Sequence, residues 1–285
     1  MAALKRYYGG AIAPLGPSLL IGAFVFGIGM QLANGCGSGT LYTAGGGSGR
    51  MLIALLFFVA GSVFGSLSLP SALSLGGIDP VLASDYLGPW GGLAATLASI
   101  ALAAALIIAV AKRCGANYKP PRNMVIGGIA IGLLCVAVFV AGGHPWSVTF
   151  GYTVWGAKIA SALGFDFSHV AFWQWPGPKH ALAESVLSDT SSLTDFGMLF
   201  GAMAAAAASK PFARAAWPPA KSLLAAGIGG LLMGWGARLG FGCNIGAFVG
   251  GVASGSLHGW VWFAAALPGC LIGIRLRPLF GLSRE

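Results

Sequence analysis

The chain has 285 residues, 56% of them hydrophobic and 8% charged, and a net charge of +9. Soluble domains carry about 25% charged residues, so an exterior facing water everywhere is excluded and a bilayer must cover much of it. The positive charge does not indicate nucleic acid. It falls in short clusters between apolar runs, such as KRCGANYKPPR (112–122) and RLRPLFGLSR (275–284), which is the pattern of membrane loops.

No polar linker separates the apolar runs, so residues 1–285 read as a single membrane transport domain of all-α class. The opening MAALKRYYGGAIAP has no adjoining apolar stretch or cleavage motif and does not read as a signal peptide. In chain order, seven stretches approach the about 17–25 apolar residues a span needs: 18–35, 51–69, 91–111, 124–142, 192–209, 222–240 and 258–275. The fifth is the weakest, because GMLFGAMAAAAAS is short and alanine-rich. Three intervening stretches, 36–49, 144–164 and 243–256, are too apolar and glycine-rich for ordinary loops. Irregular backbone at membrane depth is tolerated where protein buries it or where it lines a cavity. Re-entrant segments with short half-helices are therefore expected there.

The Lys/Arg bias sets the orientation. With the N-terminus outside, the inner side receives Arg50, Lys112, Arg113, Lys119, Arg122, Lys210, Arg214, Lys221, Arg275, Arg277 and Arg284. The outer side keeps Lys5, Arg6, Lys158, Lys179 and Arg238, so an outer N-terminus and an inner C-terminus are expected. Asp79, Asp85, Asp166, Glu184, Asp189 and Asp195 then fall outside as well.

Residues 21–40 align without a gap on 228–247 with eight of twenty positions identical, among them Gly27/Gly234, Gly29/Gly236, Gly35/Gly242, Cys36/Cys243 and Gly39/Gly246. The copies sit on the first and sixth spans and so run in opposite directions. Such an inverted repeat carries its site near the bilayer midplane. Repeat one covers about 18–69, a linking span about 91–111, and repeat two about 124–275. Close backbone packing is expected at Gly27, Gly29, Gly234 and Gly236 and at the GxxxG pairs Gly61/Gly65 and Gly269/Gly273. Gly35 and Gly242 are expected to free the turns that present Cys36 and Cys243.

The five cysteines form no CxxC pair and no Cys/His zinc spacing, so neither metal nor cofactor is expected. Cys114, Cys135 and Cys270 match no motif and read as structural. The turns holding Gly35, Gly37, Ser38 and Gly39, and Gly242, Asn244 and Gly246, offer helix-start N–H groups to an anion. A neutral thiol adds a weak, polarizable donor; the competing reading of Cys36 and Cys243 is as small packing residues. Lys158 in WGAKIAS is either functional at membrane depth or snorkels to the outer interface. Arg238 either draws anions in or, the reading favoured here, anchors its helix end. Trp146, Trp155, Trp173, Trp175, Trp260 and Trp262 fit an interface belt, and Trp146 is also a candidate wall of the path. His144, His169, His180 and His258 show no ligand spacing and read as interfacial.

FGIGMQLANGCGSGTLY (26–42), GHPWSVTFGYTVWGAKIA (143–160) and GARLGFGCNIGAFVGGVASGSLHGW (236–260) resemble the YeeE/YedE family of membrane proteins, over about residues 17–276. The resemblance implies an hourglass of nine transmembrane helices with four short elements dipping to the centre. It also implies thiosulfate uptake across the bacterial inner membrane. Cys36 and Cys243 match the family's path cysteines, which hand the anion on through S–H···S contacts, and Trp146 and Thr149 lie in the matching PWSVT motif. Some members are associated with selenium metabolism, and others work beside a small cytoplasmic sulfur-carrier protein. In repeat two, Pro145 precedes Cys243 by 98 residues, whereas 35 residues precede Cys36. Repeat one is therefore expected to be incomplete: either the chain is a shortened member, or about 70–100 further residues, room for two spans and a dipping segment, lie upstream.

The leading reading is a transporter, not an enzyme, that takes up a small sulfur-containing anion, with thiosulfate first and a selenium compound as the alternative. The lipid bilayer is a partner, and no Walker motif supplies a nucleotide site. An intramembrane thiol redox enzyme using Cys36 and Cys243, and a docking scaffold, are the readings of other classes. The orientation has a direct check. Single cysteines placed in 112–122 and 70–90 of a cysteine-less variant should, on intact cells, be protected from an impermeant maleimide in the first loop and labelled in the second. The reverse pattern contradicts the assignment.

Overall fold

Uniformly apolar runs leave their backbone polar groups no partner but each other, and a helix is the local way to pair them. The computed structural model describes residues 9–115, 120–209 and 217–283. Lys5, Arg6, Lys119, Lys210, Arg214 and Arg284 of the orientation argument lie outside the described residues. Helices occupy all seven expected spans: α1 (Pro17–Ala33), α3 (Gly49–Leu73), α4 (Ala83–Arg113), α5 (Arg122–Gly142), α8 (Thr190–Ser209), α9 (Ala220–Leu239) and α11 (Leu257–Leu276). Each of the three expected dipping stretches holds a short helix. These are α2 (Gly37–Gly45), α6 (Val148–Ala162), and a π-helical turn (Asn244–Val249) that runs into α10 (Gly250–Ala253). One further helix, α7 (Pro176–Ala183), has no counterpart in the sequence reading. Among the described residues there is no strand beyond the isolated bridges Leu15–Ile78 and Leu82–Ser256.

Among the described residues, six helical segments are long and apolar enough to cross a membrane, against seven expected. The exception is α8, whose first turns read TSSLTD and bury Ser191, Ser192 and Asp195. Its start is too polar for a lipid-facing surface and is covered by protein instead.

The centre of the bundle is α1, α3, α9 and α11. Gly22 of α1 lies against Leu239 and Gly240, and Gly29 lies against Gly229 and Met233, so α1 and α9 run antiparallel. Along α3 and α9, Gly230 meets Ala54 and Phe58 while Gly65 meets Arg238, which makes that pair parallel. Gly269 on Phe24 and Gly273 on Ile28 make α1 and α11 parallel too. The helix that carries each aligned Gly-Cys stretch, α1 or α9, thus packs on the span that follows the other stretch, α11 or α3. These approaches need glycine: a Cβ on Gly29 would stand 2.7 Å from the Gly229 carbonyl oxygen, and one on Gly236 would stand 2.6 Å from that of Gly22.

The exterior belongs to α4 and α5. α4 buries only Gly92 and α5 buries nothing, while their Leu, Ile and Val side chains face outward. Such a surface suits lipid, not water. α4 is broken at Gly88 (φ 70°, ψ 175°), immediately before Pro89. Two tryptophans expected in an interface belt are instead core residues, Trp173 and Trp262, each 1% exposed. The Trp173 indole N–H donates to Ser66 Oγ at 3.1 Å. His258 is likewise interior, with Nδ1 2.8 Å from Ser256 Oγ.

The glycine contacts predict a contrast. A Cβ on Gly230 would press on the backbone of Ala54 and Phe58, whereas one on Gly127 of α5 meets nothing within 4 Å. Gly230→Val should cost at least about 1–3 kcal/mol and lower the detergent-solubilised melting temperature clearly. Gly127→Val should be neutral in the same fluorescence size-exclusion assay.

Candidate functional site

Cys36 and Cys243 each follow a bundle helix by a few residues and each stand at the N-cap of the short helix that comes next. Both turns use a left-handed residue, Asn34 (φ 67°) after α1 and Phe241 (φ 61°) after α9. Gly242 has φ 147°, as its turn requires, but Gly35 is not in the left-handed region. In the first turn that role falls to Asn34, since asparagine tolerates the conformation better than most residues. Its N–H closes α1 on the Met30 carbonyl at 2.9 Å.

The short helices begin at one place. A Cβ on Gly37 would lie 3.1 Å from Cys243 Sγ and 3.2 Å from Thr149 Cγ2, so α2, α6 and the π-helical turn start within contact of one another. Gly246 approaches Ser147, with a Cβ there 3.8 Å from Ser147 Oγ. Tyr152 of α6 ties the junction by donating its hydroxyl to the Gly37 carbonyl at 3.0 Å. Helix starts carry unpaired N–H groups and about half a positive charge each. Three of them at one point form a strongly electropositive spot without any side-chain charge.

At Cys36 the Gly39 N–H donates to Sγ at 3.4 Å, and Ser38 Oγ lies 3.4 Å from the same sulfur. The sulfur thereby acts as helix cap. Cys243 is fully buried; Cys36 is partly accessible, and both are free thiols. Buried polar atoms without hydrogen-bond partners among the described residues surround the pair: Thr40 Oγ1, Asn244 Oδ1, Trp146 Nε1 and Arg238 Nε. A cavity of about 220 Å³ lined by Trp146, Ser147, Phe241, Gly246 and His258 reaches this junction from one side.

Arg238 corrects the expectation that it anchors a helix end at the interface. It is 8% exposed, and its Nη2 donates to Thr149 Oγ1 at 3.3 Å. Its guanidinium carbon stands 5.8 Å from the Phe150 ring centroid. The lone ion pair among the described residues is His169–Asp166, so Arg238 is a buried cation without a carboxylate partner. Sequence carried one signal for it: a lone arginine inside an apolar span is a functional residue by default. Tyr152 had no comparable signal.

Lys158 lies elsewhere. It is nine residues beyond Thr149, about 13 Å along the helix at about 1.5 Å per residue. Its Nζ donates to the carbonyls of Leu182 (2.8 Å) and Glu184 (2.5 Å) at the end of α7. The structure thus brings Cys36, Cys243, Gly35, Gly37, Ser38, Gly39, Gly242, Asn244, Gly246, Trp146 and Thr149 into one neighbourhood and leaves Lys158 out of it. Asp195, expected on the outer surface, is instead interior beside α6.

The chain is 34% identical over 155 residues to a probable transporter, YedE, of Escherichia coli, a match covering 53% of this chain and 37% of that protein. It is 28% identical to the thiosulfate transporter TsuA of Spirochaeta thermophila, over 85% of this chain and 72% of the relative. To the thiosulfate transporter TsuA of Escherichia coli it is 28% identical, over 91% and 74% respectively. The sequence model of the family described as Sulphur transport matches residues 2–272, and the chain is a member of that family of multi-pass membrane proteins.

Proposed function

We propose that the chain takes up a small sulfur-containing anion, thiosulfate first, along a path through the junction of Cys36 and Cys243. The observation that carries this reading is the meeting of three helix starts beside a buried, carboxylate-free arginine. Such a place favours a small anion over any neutral or cationic solute. Arg238 supplies the full charge, and the N–H groups of α2, α6 and the π-helical turn supply the rest. Burying a charge without a partner is costly, and a passing anion relieves that cost for a moment. Thr149 holds the guanidinium in place, and Trp146 offers an indole N–H at the approach. The path enters from the outer side and leaves into the bacterial cytoplasm, with the N-terminus outside and the C-terminus inside.

The thiols then discriminate. Cys36 Sγ accepts from the Gly39 N–H and lies 3.4 Å from Ser38 Oγ, and its S–H is a weak donor that can turn to a passing anion. A soft terminal sulfur on the anion is a weak acceptor that matches this weak donor. Weak contacts suit passage, because a conducting site must also release its ion. A selenium-containing anion would meet the same soft contacts and is the second substrate class. A small sulfur-carrier protein at the inner face remains part of the proposal as the receiver of the anion.

The test is growth on thiosulfate as sole sulfur source, in a strain lacking other importers and normalised to protein in the membrane. Cys36→Ser with Cys243→Ser should reduce growth to near background, although serine fills the space. Cys135→Ser should grow as wild type. Wild-type growth of the double variant would refute passage guided by thiols. Loss of both thiols together on mild oxidation, with activity lost until a reductant is added, would favour the redox-enzyme reading instead. For the cation, Arg238→Gln should lower initial thiosulfate uptake at least about tenfold, the equivalent of about 1.4 kcal/mol of lost anion stabilisation, while Arg238→Lys retains a measurable part. Equal uptake by Arg238→Gln and wild type would remove Arg238 from the site.

A further inference from the structure

Asp195 takes no part in the anion path as described, yet it is the one carboxyl group that is fully buried among the described residues, at 0% exposure. Neither of its oxygens has a hydrogen-bond partner among the described residues. A carboxylate so placed would be uncompensated, so the neutral acid is the form that this interior accepts. Its position is not incidental. A Cβ on Gly151 of α6 would stand 2.5 Å from Asp195 Oδ2, so the carboxyl lies directly on the helix whose first turn carries Thr149. One residue further on, Tyr152 reaches the Gly37 carbonyl beside Cys36.

A hydrogen-bonded chain runs inward from Asp189 to Ser192, one helical turn before Asp195 on α8. Asp189, partly exposed, accepts from the Ser192 N–H and from Ser192 Oγ, both at 2.7 Å. Ser192 Oγ also accepts the Trp155 indole N–H at 2.9 Å. Ser192 and Asp195 are three residues apart on α8 and so share a face.

We propose that Asp195 is a proton-binding site that couples anion passage to proton movement. The inference rests on the uptake reading above. One proton from the outer side, the side on which the Asp189–Ser192 pair lies one helical turn away, protonates the Asp195 carboxylate. The same proton leaves to the inner side once the anion has passed, so no bond other than O–H forms or breaks. Carboxyl charge is transmitted to the junction through the Gly151 contact, because a charged and a neutral Asp195 press differently on the start of α6. A sodium ion is the lesser candidate, since it would need several converging oxygens and the carboxyl has none in hydrogen-bonding reach.

Other titratable groups around it do not replace it. From α6, Tyr152 faces it, and Lys158 is directed to the carbonyls of Leu182 and Glu184. From α2, Tyr42 is exposed and walls a cavity with Ala202 and Ala205, two turns along α8. Cys36 and Cys243 lie beyond Tyr152. The 3₁₀ turn Val186–Ser188 brings no titratable side chain, and Asp189 follows it.

The experiment uses the purified chain in proteoliposomes with radiolabelled thiosulfate and the membrane potential clamped. Wild type should exchange thiosulfate across the membrane at equal pH and, with the outside made one pH unit more acidic, should accumulate it several-fold, an accumulation that a protonophore abolishes. Asp195→Asn, nearly isosteric and checked for monodispersity, should keep exchange within about twofold and lose the pH-driven accumulation. Accumulation by Asp195→Asn equal to wild type overturns the proposal, as does wild-type accumulation driven by a sodium gradient and indifferent to pH. Loss of exchange together with accumulation in a well-folded Asp195→Asn assigns the residue to the scaffold or the path and also overturns it. Absence of exchange in wild type removes the thiosulfate reading itself, and the coupling with it.

Discussion

Backbone N–H groups at the start of a helix have no partner within that helix, and this chain brings three such starts together inside an apolar fold. Much else in the structure serves that meeting. The glycine contacts among α1, α3, α9 and α11 let the bundle close tightly enough that Gly37, Thr149 and Cys243 touch. The left-handed turns at Asn34 and Phe241 send the chain back toward the centre after each long helix. Tyr152 then fixes two of the starts to each other through the Gly37 carbonyl. The electropositive point that results belongs to the backbone, so its position depends on packing and not on any one side chain.

Charge magnitudes show why the buried groups matter. Moving one elementary charge against a membrane potential costs about 2.3 kcal/mol per 100 mV, and a dianion entering a negative interior meets that cost twice. In the proposed path Arg238 lowers the barrier at the narrow point but does not move with the anion, so it cannot provide a driving force. A group that loads and unloads a positive charge can, and this is the part proposed for Asp195. The two residues therefore divide the electrostatic work. In the proposed cycle the fixed cation makes the centre passable, and the titrating acid makes the passage directional.

The spans were legible because apolarity needs no neighbour to be recognised: each of the seven proposed segments overlaps a helix to within a few residues, apart from the longer start of α4. The Gly-Cys turns were legible from their repetition. Side-chain direction was not. These helices are apolar on every side, so no polar stripe tells which face looks inward. For that reason the sequence alone puts Arg238, Asp195 and His258 outside or at an interface, although packing encloses all three. Trp173 and Trp262 misled in the same way, since an aromatic ring with one polar atom suits an interface and a core equally well. Lys158 was open between two readings, and its bonds to the Leu182 and Glu184 carbonyls depend on α7, which carries no apolar pattern long enough to announce it.

The central claim is that an anion binds where the three short helices start. Its most direct measurement is an experimental structure of the chain in lipid with thiosulfate present, the ion located by its sulfur signal. The account predicts the anion between the first turns of α2, α6 and the π-helical segment, within reach of Cys36, Cys243 and the Arg238 guanidinium. An anion held elsewhere at saturating thiosulfate, for example in the apolar cavity of about 730 Å³ beside α5, with the three helix starts unliganded, would contradict it.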